Sequence, residues 1–359
     1  MSVSYRLIAV NELDSTLIEA WRSIQSGSDV FDSPYFCPEF TQIAGRVRED
    51  VRVVVIENDD RPVGFFPHQR SLLGMGKPVG GPLSDYHGVI VDPDSEWELD
   101  ALMRAAGLSV WTFDHLVGPG GHFEAHVTAR AASPQIDLGA GYQRYEQGRR
   151  DSGSDYIRKT EGLARKLGRE SGELHFTLHE AGDGALEQLI GWKRSQYRQS
   201  RLTDAFGVRW TGDLLRSIAQ TQAAGFAGVC SVLRAGERMV AAHMGMRSRG
   251  TLHYWFPAYD PDFAKFSTGI ILLLRLAQAL AGSGVRKIDL GKGDEPYKQR
   301  LMTGAVELRE GHVELPSLLA SVRRLRRAAE AGAAQGGCAA ALNLPLRVIR
   351  RIERARKFR

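Results

Sequence analysis

The chain has 359 residues, 43% hydrophobic and 25% charged, a size that favours two cores over one and a composition ordinary for a globular protein. Three widely spaced cysteines (Cys37, Cys230 and Cys338) argue against a disulfide framework or a cysteine metal clip and fit a reducing compartment. The net charge of +5 belongs to one end, since Ser321 to Arg359 holds 11 Lys/Arg against 2 Asp/Glu and the residues before it are net acidic.

The opening stretch, MSVSYRLIAVNELD, has no basic n-region and no long apolar core. Ser4 to Val10 reads as a strand, and Asn11 to Ile24 carries apolar residues at helical spacing. A second helix is expected over Pro38 to Val47, with proline in its first turn. Val51 to Glu57 and Val63 to Gln69 make a strand pair across the polar turn Asn58 to Arg61. A glycine-rich stretch, Leu73 to Gly81, leads into SDYHGVIVD; Trp97 to Ala106 reads as a helix and Val110 to Val117 as a strand.

The segment from Gly139 to Ser171 reads as a basic linker helix with Arg158, Lys159, Arg165, Lys166 and Arg169. Beyond it the order repeats, with a strand at Leu174 to His179 and helices at Ala185 to Gln199 and Gly212 to Ala223. Three short apolar runs follow, Gly228 to Leu233, Met239 to Met246 and Thr251 to Tyr259, and tight turns between them predict an antiparallel meander. The run Ile270 to Ala281 is long enough to be the crossover that a parallel strand, Val285 to Leu290, requires. It contains Arg275 and Gln278 and is too short to span a bilayer. Ala305 to Leu315 reads as a closing strand. After Pro316 come a basic amphipathic helix, Leu318 to Ala329, an Ala/Gly stretch and a second basic segment.

Four motifs carry a family resemblance: WKRSQY at Trp192 to Tyr197, AAHMGMR at Ala241 to Arg247, HYWFPAYDP at His253 to Pro261, and IDLGKGDEPYK at Ile288 to Lys298. With PVGFFPHQR (Pro62 to Arg70) and PVGGPLSDYHGV (Pro78 to Val89), they make residues 30 to 315 resemble the CelD-like proteins. These are GNAT-superfamily acyltransferases often associated with cellulose or exopolysaccharide biosynthesis. The resemblance implies a mixed-sheet α/β fold of two tandem GNAT-like domains, at 1–140 and 173–315, with the 141–172 linker helix between them and the basic tail at 316–359. It implies acetyl-CoA or another acyl-CoA as co-substrate, no metal, and a polysaccharide precursor as acceptor. Phe266-Ser267-Thr268-Gly269 stands where typical GNAT enzymes carry a Gln/Arg-x-x-Gly-x-Gly/Ala signature.

The residues themselves allow sharper expectations. Lys265, Ser267, Thr268 and Gly269 precede the long apolar helix, whose N-terminus favours phosphate, although Ser or Thr there is also an ordinary helix cap. Asp289 lies in a strand expected to be buried on both faces, so its carboxylate needs a partner, Lys292 or Arg247, or serves as a general base. His243, on a small-residue face, is either a second base or a hydrogen-bonded core histidine. Tyr297 follows a Gly-Lys-Gly-Asp turn in a helix expected to be capped by Asp294; the resemblance makes it the acid for a leaving thiolate. Lys193, Gln196, Tyr197, Trp255, Tyr259 and Lys298, with Asp85 and Tyr86 from the first half, are candidate substrate contacts; packing aromatics and solvated surface charges are the plainer account.

Two other functions stay open at this level: a Fem-like transferase using aminoacyl-tRNA, and a non-catalytic scaffold binding glycan or a synthase. The location expected is cytoplasmic, with the tail suited to an anionic inner membrane face or to polysaccharide-synthesis machinery.

Overall fold

A computed structural model describes residues 3–71, 74–118 and 121–316. The two basic tail segments expected beyond Pro316 lie outside the described residues. The chain forms two compact units of mixed α/β structure. The first comprises 3–27, 44–130 and 309–316 of the described residues, and the second 28–43 and 131–308.

In the first unit, β1 (Val3–Ala9) is followed by α1 (Ser15–Ser26), and then, after α2 (Pro38–Val47), whose residues 38–43 belong to the second unit, by β2 (Val51–Asn58) and β3 (Arg61–Arg70). Asp14 caps α1 by accepting from the Leu17 amide, and the helix buries Leu17 and Trp21, the latter stacked on Phe65 at 4.8 Å. Asp59 and Asp60 both adopt positive φ (48° and 64°), the geometry of a two-residue hairpin turn. After β4 (Met75–Lys77) and β5 (Ile90–Val91), α3 (Leu99–Ala105) crosses to β6 (Val110–Leu116). β1, β2 and β3 pair antiparallel, while β4 and β6 run parallel.

The second unit begins in sequence with residues 28–43, before the first unit is complete. Asp32 accepts from Thr251 Oγ1 at 3.0 Å and pairs with Arg286 at 3.6 Å; Tyr35 and Phe36 are buried. The rest of the unit follows as β7 (Val127–Asp137), α4 (Tyr142–Asp151), α5 (Tyr156–Ser171), β8 (Leu174–Thr177), α6 (Asp183–Gln199), α7 (Arg209–Gln220), β9 (Gln222–Ala223), β10 (Phe226–Ala235), β11 (Arg238–Arg247), β12 (Thr251–Tyr259), α8 (Thr268–Leu280), β13 (Lys287–Asp289), α9 (Pro296–Leu301) and β14 (Gly304–Glu314). The chain passes from one unit to the other within β7 and again within β14. In spatial order the second unit's strands are β8, β10, β11, β12, β13 and β7, antiparallel except for the β12–β13 pair. The crossover between those two is α8, which buries Ile271, Leu272, Leu273, Leu274, Leu276, Ala277 and Leu280. Both units thus place a helix between two parallel strands, the repeat of element order expected from sequence.

Two features differ from expectation. β7 was not anticipated, because VTARAASPQID alternates only briefly, with small alanines at the apolar positions after Val127, and most of its early residues are exposed. The segment 141–172 is two helices rather than one, broken by Gly153 at φ 80°. Nor is it merely solvated: α5 buries Ile157, Thr160, Ala164 and Leu167, and its Glu161 holds Arg275 of α8 through two bonds of 2.6 and 2.8 Å.

Candidate functional site

β12 pairs with β13 through Thr251↔Lys287, Leu252↔Ile288 and His253↔Asp289. β13 ends at that rung and β12 runs on to Tyr259, so the two strands part company there. On its other edge β12 faces β11, and the register shifts between Met244↔Phe256 and Met246↔His253. Gly245 alone therefore opposes both Tyr254 and Trp255, which makes a β-bulge on β12 immediately after its last rung with β13. Glycine is required at 245, because a Cβ would lie 2.3 Å from the His253 carbonyl oxygen and 2.6 Å from His243 Nε2.

Asp289 closes the last rung and is almost fully buried. Its Oδ1 accepts from Ser133 Oγ (2.7 Å) and the Gly291 amide (2.8 Å), its Oδ2 accepts from Gln135 Nε2 (2.8 Å), and His253 Nδ1 lies 3.4 Å from Oδ1. The carboxylate ties β7, β12 and the turn after β13 together, and little of its accepting capacity is left over.

His243 is fully buried, and neither ring nitrogen has a hydrogen-bond partner among the described residues. Its ring stacks on Tyr254 at 4.3 Å and 13°. Burial, then the neighbouring His253 and Lys193, push its pKa down to about 3, so the imidazole is neutral. Tyr254 is 3% exposed, and its hydroxyl donates to the Gly269 carbonyl at 3.4 Å, linking β12 to the first turn of α8. Tyr297 follows Glu295, not Asp294, as N-cap of α9. Burial, then Glu295 and Tyr156, hold its phenol above the ordinary tyrosine range, so it carries its proton at neutral pH. Lys193 on α6 is half-buried and donates to Gln196 Oε1 at 3.3 Å; burial lowers its pKa to about 8 against the attraction of Glu295. Lys193, His243, Tyr254 and Tyr297 thus form one electrostatically linked group: Lys193 acts on His243, Tyr297 on Tyr254, and Glu295 on both Lys193 and Tyr297.

At the start of α8, Ser267 adopts left-handed φ (55°), and the first amides of the helix have no intrahelical acceptor. Gly269 lies under the half-exposed Tyr259 ring: a Cβ there would meet Tyr259 Cδ1 at 3.5 Å. The other two phosphate candidates are engaged. Thr268 Oγ1 donates to the Val240 carbonyl at 3.3 Å, and exposed Lys265 pairs with Glu170 at 3.4 Å over the Phe266 ring.

Other candidates pack into the fold. Lys298 is buried, not a surface cation: Nζ donates to the Gly291 and Lys292 carbonyls (3.1 and 3.0 Å) and pairs with Glu295 (3.0 Å), bracing the Gly-Lys-Gly turn. Trp255 meets Tyr35 edge-on at 5.7 Å, and Tyr197 stacks on Phe206 at 6.0 Å. Gln196 is exposed. Asp85 and Tyr86 fold into the first unit, Asp85 3.8 Å from His115 Nε2 and Tyr86 buried. Residues that the sequence did not single out are Ser133, Gln135, Tyr254 and Tyr35, together with His253 as partner of Asp289.

The second unit thus combines a parted parallel strand pair, a β-bulge beside it on β12 and the N-terminus of α8. Residues 155–299 match the profile of the acetyltransferase (GNAT) domain. Among curated proteins none matches the chain in sequence. Among solved structures, the C-terminal domain (DUF2156) of a putative lysylphosphatidylglycerol synthetase from Agrobacterium fabrum is similar, with TM-score 0.53 and 13% identity over 86% of this chain and 94% of that one. FemX aligns with TM-score 0.56 and 7% identity over 82% of this chain and 94% of that one. A tandem GNAT protein from the clavulanic acid biosynthesis pathway aligns at TM-score 0.49 and 10% identity over 88% of this chain and all of that one. At these identities the likeness concerns the fold alone. The described residues contain no helix long and apolar enough to cross a membrane.

Proposed function

We propose that the second unit is an acyltransferase that moves an acetyl or other acyl group from acyl-CoA to an amine or hydroxyl of a polysaccharide precursor. The observation that carries this reading is the opening beyond the His253–Asp289 rung, where the bulge at Tyr254 and Trp255 turns backbone amides off the regular ladder beside the first turn of α8. Such amides are suited to a thioester oxygen as it gains charge. In the step proposed, the acceptor nitrogen or oxygen attacks the thioester carbon and gives up its proton to water, and the Tyr297 hydroxyl protonates the departing thiolate; His243, fully buried and held neutral, is the core histidine of the two readings rather than the base. Asp289, engaged by its neighbours, serves as a positioning residue rather than as a base, one of the two roles left open by the sequence. The CelD-like motifs support a polysaccharide acceptor, with Gln196 and Tyr259 as the contacts most open to it. The basic tail is proposed to meet an anionic surface on the cytoplasmic side.

A Fem-like reading, with aminoacyl-tRNA as donor, draws on one observation: Lys265, beside the helix start, is already paired with Glu170, which leaves a less cationic site for a pyrophosphate. Isothermal titration with acetyl-CoA separates the two. Binding is expected for the native chain and is expected to weaken about tenfold or more in Gly269→Glu, where a carboxylate at a helix N-terminus spares the fold but repels a polyanion. Absence of binding by the native chain at millimolar acetyl-CoA would overturn the CoA reading.

A further inference from the structure

The outer side of α5 carries more positive charge than the fold uses. Ile157, Thr160, Ala164 and Leu167 are buried and set its inward side. Arg158, Gly162, Arg165 and Arg169 recur at intervals of four, three and four residues, so they fall in one line on the opposite side. At about 1.5 Å of rise per residue that line runs about 16 Å. All three arginines are exposed, and exposed Lys159 and Lys166 flank them. Gly162 keeps the middle of the line low: a Cβ there would meet nothing nearer than Arg165 Nη2, at 3.9 Å.

Carboxylates answer only part of this charge. Asp155 pairs with Lys159 (2.9 Å) and Arg158 (3.4 Å) at one end of the helix. Glu170 pairs with Lys166 (3.8 Å) and Lys265 (3.4 Å) at the other. Glu161 turns aside, where Arg275 of α8 takes both its oxygens. Among the described residues, Arg165 and Arg169 have no carboxylate within ion-pair distance. The exposed residues of α5 are all Arg, Lys or Glu. No ring stands there to stack a base of single-stranded nucleic acid, and no apolar side chain to form the centre of a protein interface. Both flanks of the helix are occupied, by Arg275 at Glu161 and by Lys265 at Glu170, so α5 does not stand free to enter the major groove of a duplex. A layer of phosphate headgroups needs none of these features and attracts basic residues that come within a Debye length of it.

We propose that the arginine line of α5 is a contact surface for an anionic lipid bilayer, with Arg158, Arg165 and Arg169 facing its phosphate headgroups. The surface belongs to the folded second unit, is distinct from the basic tail, and holds whether or not that unit transfers acyl groups. The test is flotation of the full chain with vesicles of phosphatidylcholine, alone or mixed with phosphatidylglycerol. Binding is expected to the mixed vesicles only. Each lost cation is expected to weaken it about fivefold, so Arg165→Gln with Arg169→Gln should weaken it more than about tenfold. Arg104→Gln with Arg209→Gln removes the same charge from exposed positions on α3 and α7 and should change binding by less than about twofold. Arg165 and Arg169 brace no carboxylate, so the variant should fold, which an unchanged melting curve verifies. Failure to bind mixed vesicles, equal losses in the two variants, or native binding by the Arg165/Arg169 variant overturns the proposal, the last by leaving the tail as the whole attachment. Loss of tRNA or duplex DNA binding in that variant, with vesicle binding intact, overturns it in favour of a nucleic acid.

Discussion

Replacing Gly245 by alanine places one methyl group where the geometry of the site is set. Its Cβ would stand 2.3 Å from the His253 carbonyl oxygen, roughly 1 Å inside an ordinary carbon–oxygen contact. It would also stand 2.6 Å from His243 Nε2. The imidazole is pinned against Tyr254, and the carbonyl is backbone, so neither moves freely. Gly245 is not among the residues with positive φ, so alanine meets no backbone penalty and the effect is steric. Overpacking of this kind costs about 1–3 kcal/mol, offset by about 0.4–1 kcal/mol from the less flexible unfolded chain. A net loss of about 1–2 kcal/mol is expected in urea unfolding. A double-mutant cycle with His243→Ala sharpens the test: removing the ring relieves one contact and leaves the carbonyl clash, so only part of the loss should return. Displacing the bulge by about 1 Å should lower kcat about 100-fold. If Gly245→Ala is as stable as the native chain within about 0.5 kcal/mol, and as active, the bulge is not held by this contact and the reasoning fails.

Three further outcomes follow from the same site. Asp289→Asn presents an amide group to donors that now meet a carboxylate; a loss of about 1–3 kcal/mol is expected by chemical denaturation. If Asp289 positions rather than accepts a proton, kcat should fall with KM and the pH profile unshifted, whereas loss of the basic limb would make it the base. Tyr297→Phe should reduce kcat by about 10²–10⁴ while thermal stability changes little, and unaltered turnover would remove the general-acid role. His243 has a folded pKa of about 3, below its unfolded value of about 6.5, so between these the unfolded chain binds a proton that the folded chain refuses. Its stabilising contribution is therefore complete above about pH 6.5 and is lost as pH falls toward 3, at up to about 1.4 kcal/mol per pH unit. His68 in the first unit, lowered by burial to about 4, acts in the same direction. The urea midpoint measured from about pH 4 to 6.5 should rise less steeply in His243→Gln, and identical slopes would contradict the buried neutral state.

The meander, α8 and the parallel return strand were legible because tight turns, short apolar runs and one long apolar helix are local signals. The need of Asp289 for a partner was legible too, from a carboxylate between Ile288 and Leu290. Its partners were not: Ser133 and Gln135 lie 156 and 154 residues away on β7, a strand with little local signature. The bulge was out of reach because it is a property of register, decided by which residues of β11 and β12 face one another. Tyr297 and Lys298 are adjacent in sequence, yet the first joins the linked group and the second turns inward to brace a loop, a division that only the path of the turn decides.

The contribution of residues 28–43 to the second unit has a practical consequence. A fragment cut at residue 131, the natural place to sever two halves read in linear order, would leave Thr251 and Arg286 without Asp32 and would uncover the aromatic surface beneath Tyr35 and Phe36. Such a truncation would be expected to precipitate or to show crippled turnover for reasons unrelated to the missing half. The two halves are interlaced along the polypeptide, and neither can be excised as one uninterrupted piece.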